Sequence, residues 1–213
     1  MHLYWHGLTS VRIESSLGDT NCTLLTDPYG SDTGLRFPRT LEPNVLVLSH
    51  QKREQFALDA LKNTPFLIAD PGEYEVQGVF VFGETVQEEG AKYPSPLIYR
   101  FEIEGMSIGF IGGLSKAPSE ELLARLENID ILLISVGGGA YLDAKKATEI
   151  VHTLEPRIVV PLAFHVEGMT TALDSVDLFC KEVGGKRQDG NKLKLSRKDL
   201  PAEDLVVQVL ERA

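Results

Sequence analysis

Only two cysteines occur in the 213 residues, Cys22 and Cys180, and they lack CxxC spacing. They are too few for a disulfide framework. Each sits beside apolar residues, Thr23-Leu24-Leu25 and Leu178-Phe179, which predicts buried free thiols. Also missing is any apolar run near the roughly 20 residues that span a bilayer. The opening Met1-His2-Leu3-Tyr4-Trp5-His6-Gly7 has no basic stretch followed by an apolar one, so no secretory signal is read there. A cytoplasmic protein without a membrane partner is the expectation. Basic residues are outnumbered, 21 against 31 acidic, for a net charge of −10. A surface of that sign repels phosphate backbones, so duplex nucleic acid is not an expected partner. The one basic cluster, Lys186-Arg187 with Lys192, Lys194, Arg197 and Lys198, reads as a solvated loop and strand edge. No GxGxxG, phosphate loop or Gly-x-Ser-x-Gly elbow is present. Linkers, repeats and low-complexity tracts are absent too, so residues 1–213 read as a single domain.

What is present is a mixture of two periodicities. His2–Trp5, Val11–Ser15 and Thr23–Asp27 are short strand-like runs. Val45–Ser49 is continuously apolar, as in a strand buried on both faces. A helix is predicted near Glu54–Leu61, then strands at Phe66–Ala69 and Gly78–Phe82. Leu97–Ile103 and Met106–Ile111 flank Glu104-Gly105, a pair suited to a hairpin turn. Ser119 and Asp143 are placed to cap helices, the second with Ala147, Ile150, Val151 and Leu154 on one face. Between and after them come strands at Ile129–Val136 and Arg157–Pro161. Thr171 opens a last long helix ended by Gly184-Gly185, and Lys192–Ser196 and Leu205–Val209 close the chain as strands. Two sheets packed face to face with helices outside would bury every apolar face.

The order of these segments resembles the metallo-β-lactamase superfamily, in its branch of small metal-dependent hydrolases similar to ascorbate-6-phosphate lactonase. The resemblance is carried by Tyr4-Trp5-His6-Gly7 through Ile13, by Leu24-Leu25-Thr26-Asp27-Pro28-Tyr29, by Val45 through His50, and by Pro71-Gly72-Glu73-Tyr74-Glu75-Val76. It implies an α/β (α+β) fold, the four-layer αββα sandwich of that superfamily. It also implies a zinc or manganese centre that lowers the pKa of bound water.

The family's ligand signature is His-x-His-x-Asp-His, and this chain reads His50-Gln51-Lys52-Arg53-Glu54-Gln55. His50 matches the first ligand. Lys52, Glu54 and Gln55 stand where the others belong, and a protonated lysine repels a metal. No histidine occurs in Glu84–Glu89. Gly113 replaces the bridging aspartate, and Ala163 stands where the final histidine is expected. His165 lies two residues further, about 7 Å along a strand.

The missing ligands lead to the expectation that dimetal hydrolysis has been lost, with no cofactor. The chain would then be a binding or interaction protein for an unidentified small molecule or protein, with homo-oligomers possible. The alternative is a hydrolase of small esters, lactones or phosphorylated metabolites. It would use zinc or manganese in a rebuilt mononuclear site of Asp27, His50, Glu54 and His165. The residual pocket would comprise Asp27, His50, Lys52, Glu54, Gln55, Gly113 and His165. Lys52 could there neutralise Asp27 in place of a metal. Gly112-Gly113 and Gly137-Gly138-Gly139 read as plain turns rather than anion cradles.

Overall fold

β-Branched and aromatic residues in short runs, broken at Gly7 and Gly18, give the chain its first three strands. In the computed structural model, which describes residues 1–87 and 96–213, these are β1 (His2–Gly7), β2 (Ser10–Leu17) and β3 (Thr20–Thr26). They pair antiparallel. β4 (Val45–Val47) and β5 (Phe66–Ile68) then extend the sheet in parallel. With β13 (Leu193–Lys194) on the far edge, the six-stranded order is β13-β1-β2-β3-β4-β5.

The second sheet has eight strands. Four antiparallel ones, β6 (Gly72–Val76), β7 (Val79–Thr85), β8 (Leu97–Ile103) and β9 (Met106–Ile111), run in sequence order. Glu104 and Gly105 both adopt the left-handed conformation in the β8–β9 turn, as their hairpin placement predicts. Four parallel strands follow, β10 (Ile131–Ser135), β11 (Ile158–Leu162), β12 (Lys186–Gly190) and β14 (Val206–Leu210). The order is β12-β14-β11-β10-β9-β8-β7-β6.

The period-two alternation of β3 and β4 sorts their side chains between two cores. Leu24, Val45 and Val47 join Phe101, Ile108 and Phe110 between the sheets. Leu25, Leu46 and Leu48 face outward, under Tyr29, Phe37 and Leu41. β4 is therefore buried on both faces, as its unbroken apolar run requires. Helices α1 (Glu120–Ala124), α2 (Ala144–Leu154) and α3 (Val176–Val183) accompany the eight-stranded sheet. Ser119 and Asp143 cap the first two as expected, accepting from Leu122 N and Lys146 N. The architecture is the αββα sandwich of the metallo-β-lactamase type.

Two elements differ from the sequence expectation. The helix expected near Glu54–Leu61 is two 3-10 turns, Arg53–Gln55 and Leu58–Ala60. An acceptor outside the segment draws one of its N–H groups away from a helical partner: Ala57 N donates to Pro28 O at 2.9 Å. The last helix begins at Val176 rather than Thr171, capped by Ser175. Asp174 donates its N–H to Gly137 O and accepts from His165 N, which holds the preceding stretch outside the helix. Lys186-Arg187, read as a solvated strand edge, does lie on the exposed edge strand β12, where Arg187 is bound by Asp177 and Asp189. No helix among the described residues is long and apolar enough to cross a membrane. Both cysteines are free, Cys22 buried and Cys180 half-buried.

Candidate functional site

At the carboxyl ends of β3, β4 and β9 the loops meet around Asp27 and Ser49. The Asp27 backbone adopts φ +37°, a left-handed conformation uncommon for a side-chain-bearing residue. The carboxyl group is buried, 2% exposed. Oδ1 accepts the Ser49 N–H at 2.7 Å, tying the end of β3 to the end of β4. Oδ2 is buried and has no hydrogen-bond partner. Burial pushes the carboxyl up to about 6, opposed chiefly by the hydrogen bond from Ser49 N–H.

Thr9 is positioned by a small buried network. Its carbonyl accepts from Thr26 Oγ1 at 2.7 Å, Val11 N donates to the same hydroxyl, and Ser10 Oγ donates to Thr26 O. Gly113 approaches from the other sheet: a Cβ added there would lie 2.5 Å from Ser49 Oγ. Tyr99 donates to Leu48 O at 2.8 Å. Burial raises both Tyr99 and Tyr141, the latter to about 12, and the Asp27 charge adds to each. The site around Asp27 thus consists of Thr9, Ser49, Tyr99, Gly113 and Tyr141.

His50 follows directly and is half-buried, its ring lying on Phe56 with centroids 4.5 Å apart. Burial holds its pKa below the ordinary value; the Lys52 charge adds to this and Glu54 opposes it. His50 Nδ1 accepts the Lys52 backbone N–H at 3.2 Å. The neutral ring therefore carries its proton on Nε2, which has no partner among the described residues. Gln51 and Arg53 brace this turn on Asp70, at 2.7 and 3.7 Å.

The structure joins only part of the expected constellation. Asp27 and Gly113 meet around Ser49, and His50 and Lys52 adjoin them. Glu54 and Gln55 are exposed on a 3-10 turn, so His50 and Glu54 do not share a helical face. His165 is exposed. Ala163, also left-handed at φ +50°, donates its N–H to Leu8 O. The segment Glu84–Glu89 lies partly outside the described residues. Thr9 and Tyr141 were not signalled by the sequence, because chain folding alone brings them to Asp27.

These side chains do not fit a zinc or manganese ion. Among the described residues no three His, Cys, Asp or Glu side chains converge as a ligand set. The tautomer of His50 places a proton, not a lone pair, on its free nitrogen. An aspartate side chain at position 113 would begin in the space of the Ser49 hydroxyl. The rebuilt site of Asp27, His50, Glu54 and His165 is therefore not assembled.

Residues 2–163 match the β-lactamase superfamily domain, and the chain belongs to that superfamily. A curated metal-dependent hydrolase of Nitratidesulfovibrio vulgaris is 24% identical over 189 residues, 74% of this chain and 77% of the relative. The crystal structure of a candidate zinc-dependent hydrolase of the metallo-β-lactamase superfamily from Thermotoga maritima covers 99% of both chains, at TM-score 0.78 and 25% identity. A metallo hydrolase from Ignicoccus hospitalis shares the fold at TM-score 0.62 and 14% identity, covering 85% of this chain and 89% of its own. These likenesses overturn the expectation of a binding protein that has lost hydrolytic chemistry. That expectation rested on absent ligands, whereas relatives matching most or all of the chain are described as hydrolases.

Proposed function

We propose that this chain is a hydrolase of small esters, lactones or phosphorylated metabolites, acting at the strand ends around Asp27 and His50. The observation that carries the reading is Asp27 itself. A buried carboxyl with one oxygen unpartnered is costly, and here it lies where the loops of both sheets meet. Family membership and the hydrolase names of the relatives support the same reading.

The chain's own groups supply recognisable parts of such a reaction. Neutral His50 offers Nε2–H to a carbonyl or phosphoryl oxygen, a donor that polarises the bond under attack. The Lys52 cation, close enough to act on His50, favours negative charge developing there. Asp27 holds Ser49, and burial lifts its carboxyl to about 6, within the range of a proton site near neutrality. The relatives are described as metal-dependent, and zinc or manganese is the ion the resemblance implies. Because the side chains do not fit such an ion, no step is assigned to one.

The test measures hydrolysis of a panel of p-nitrophenyl esters, aliphatic lactones and phosphate esters by purified protein, before and after zinc and manganese loading. Metal content is determined alongside by mass spectrometry. Turnover that falls a hundredfold or more in His50→Gln supports the reading. No turnover in any metal state, or turnover indifferent to His50→Gln, overturns it. Stoichiometric metal that survives dialysis would overturn the fit argued above.

A further inference from the structure

The chain has ten arginines, and the partners of their side chains separate them sharply. Arg12, Arg53, Arg100, Arg125, Arg157 and Arg187 lie against carboxylates, and Arg212 donates to Arg36 O. Arg36, Arg39 and Arg197 have no such partner among the described residues. Two of these three line one cavity of about 580 Å³, together with Tyr29, Phe37, Ala57 and Asp59. In a protein of charge −10, two unengaged guanidiniums in one cavity are an uneven use of scarce cations.

The cavity has a built floor. Phe37 sits between the two arginines in sequence, is buried, and packs edge-on against Tyr29 with ring centroids 5.1 Å apart. Tyr29 is itself buried and donates to His6 O. Pro38 restricts the backbone between Phe37 and Arg39. The backbone carrying both arginines is thus anchored, while their exposed guanidinium ends stay available to a ligand. Asp59 also lines the cavity, a carboxylate that pairs with neither arginine. Ala57, in the same lining, donates its N–H to Pro28 O and so ties the cavity to the Asp27 loop.

We propose that this cavity is a binding site for a small organic oxyanion, a carboxylate or phosphate, that also carries a hydroxyl group. Guanidinium groups match the planar oxygens of such an anion and can hold it through paired hydrogen bonds. Asp59 accepts from the hydroxyl and disfavours anions that lack a donor. The aromatic floor takes the apolar side of the ligand. This lining shares no residue with the strand-end centre of Asp27 and His50, and binding here does not require that centre to hydrolyse esters.

The test titrates the full chain with glycerate and with inorganic phosphate at fixed ionic strength, followed by calorimetry and by amide NMR shifts. Saturable binding of one equivalent of glycerate is expected, weakened at least tenfold in Arg36→Gln and in Arg39→Gln. Arg197→Gln, the third unengaged arginine, should bind as the parent does. Asp59→Asn should weaken glycerate more than phosphate. Absence of saturable binding of both probes overturns the proposal. So does equal weakening by Arg197→Gln, which would mark a general charge effect. Thermal melts of each variant separate loss of binding from loss of fold.

Discussion

Gly113 faces Ser49 so closely that the two residues share one side-chain space: an added Cβ would lie 2.5 Å from Ser49 Oγ and 2.7 Å from Ser49 Cβ. The contact joins the end of β9 to the end of β4 across the two sheets. It also explains why the chain cannot simply regain an aspartate at position 113. Ser49 must move or shrink first.

Gly113→Ala should therefore destabilise the fold by about 1–3 kcal/mol through overpacking. Combined with Ser49→Gly, it should cost clearly less than the sum of the two single changes. Urea denaturation of the four proteins closes this cycle. Strict additivity would show that the contact relaxes without strain.

Asp27 gives the fold a pH dependence of defined sign. Its folded pKa, about 6, lies above the ordinary 3.8. Its contribution is therefore full below the unfolded value and is lost as pH rises through 6. A shift of this size corresponds to about 2–3 kcal/mol. Asp27→Asn, which keeps an acceptor for Ser49 N, should stabilise the protein by about that much at pH 8 and change little near pH 4. Equal effects at both pH values would remove burial of the charge as the cause.

His6 acts in the opposite sense. Burial lowers its pKa from 6.5 to about 4, outweighing the Ala213 carbonyl, and its Nε2 is buried without a partner. Stability from this group is present above pH 6.5 and drains as pH falls toward 4. The two windows overlap, so the cleaner measurement uses Asp27→Asn protein. In that background stability should fall by about 2–3 kcal/mol between pH 7 and pH 4, and His6→Gln should flatten the slope. An unchanged slope in His6→Gln would assign it to other groups.

α2 ends on Glu155 in the left-handed conformation, φ 46°, where glycine is the usual residue. Replacing it by glycine should stabilise the protein by about 1 kcal/mol, since a Cβ is penalised there. A lower melting temperature in Glu155→Gly would show that the side chain contributes something the backbone argument misses.

Much of the sandwich was legible because burial writes itself into periodicity. Val45–Val47 is apolar throughout and is covered on both sides; Ala147, Ile150, Val151 and Leu154 recur at helical spacing and are all buried. The segment after His50 was not legible, because Ala57 in its helix-forming run gives its N–H to Pro28 O, which no local pattern reveals. The candidate site was legible only in part. Asp27, His50 and Gly113 sit on strand ends that the motifs mark. Thr9 owes its place to Thr26, 17 residues away, and Tyr141 reaches the site through a loop. His165, two positions beyond the expected ligand, left the strand and turned to solvent.

The bonding of β1 carries a consequence for assembly. Its outer edge is closed by β13 and by the Trp5–Arg212 bridge, and Met1 N reaches Leu195 O across 194 residues. On a ribosome that edge stays open while almost all of the remaining sequence is made. Contacts of such separation form slowly, so β1 waits longer than β2 or β3 for its outer edge to be sealed. A nascent chain halted after β11 would expose it to pairing with a neighbour.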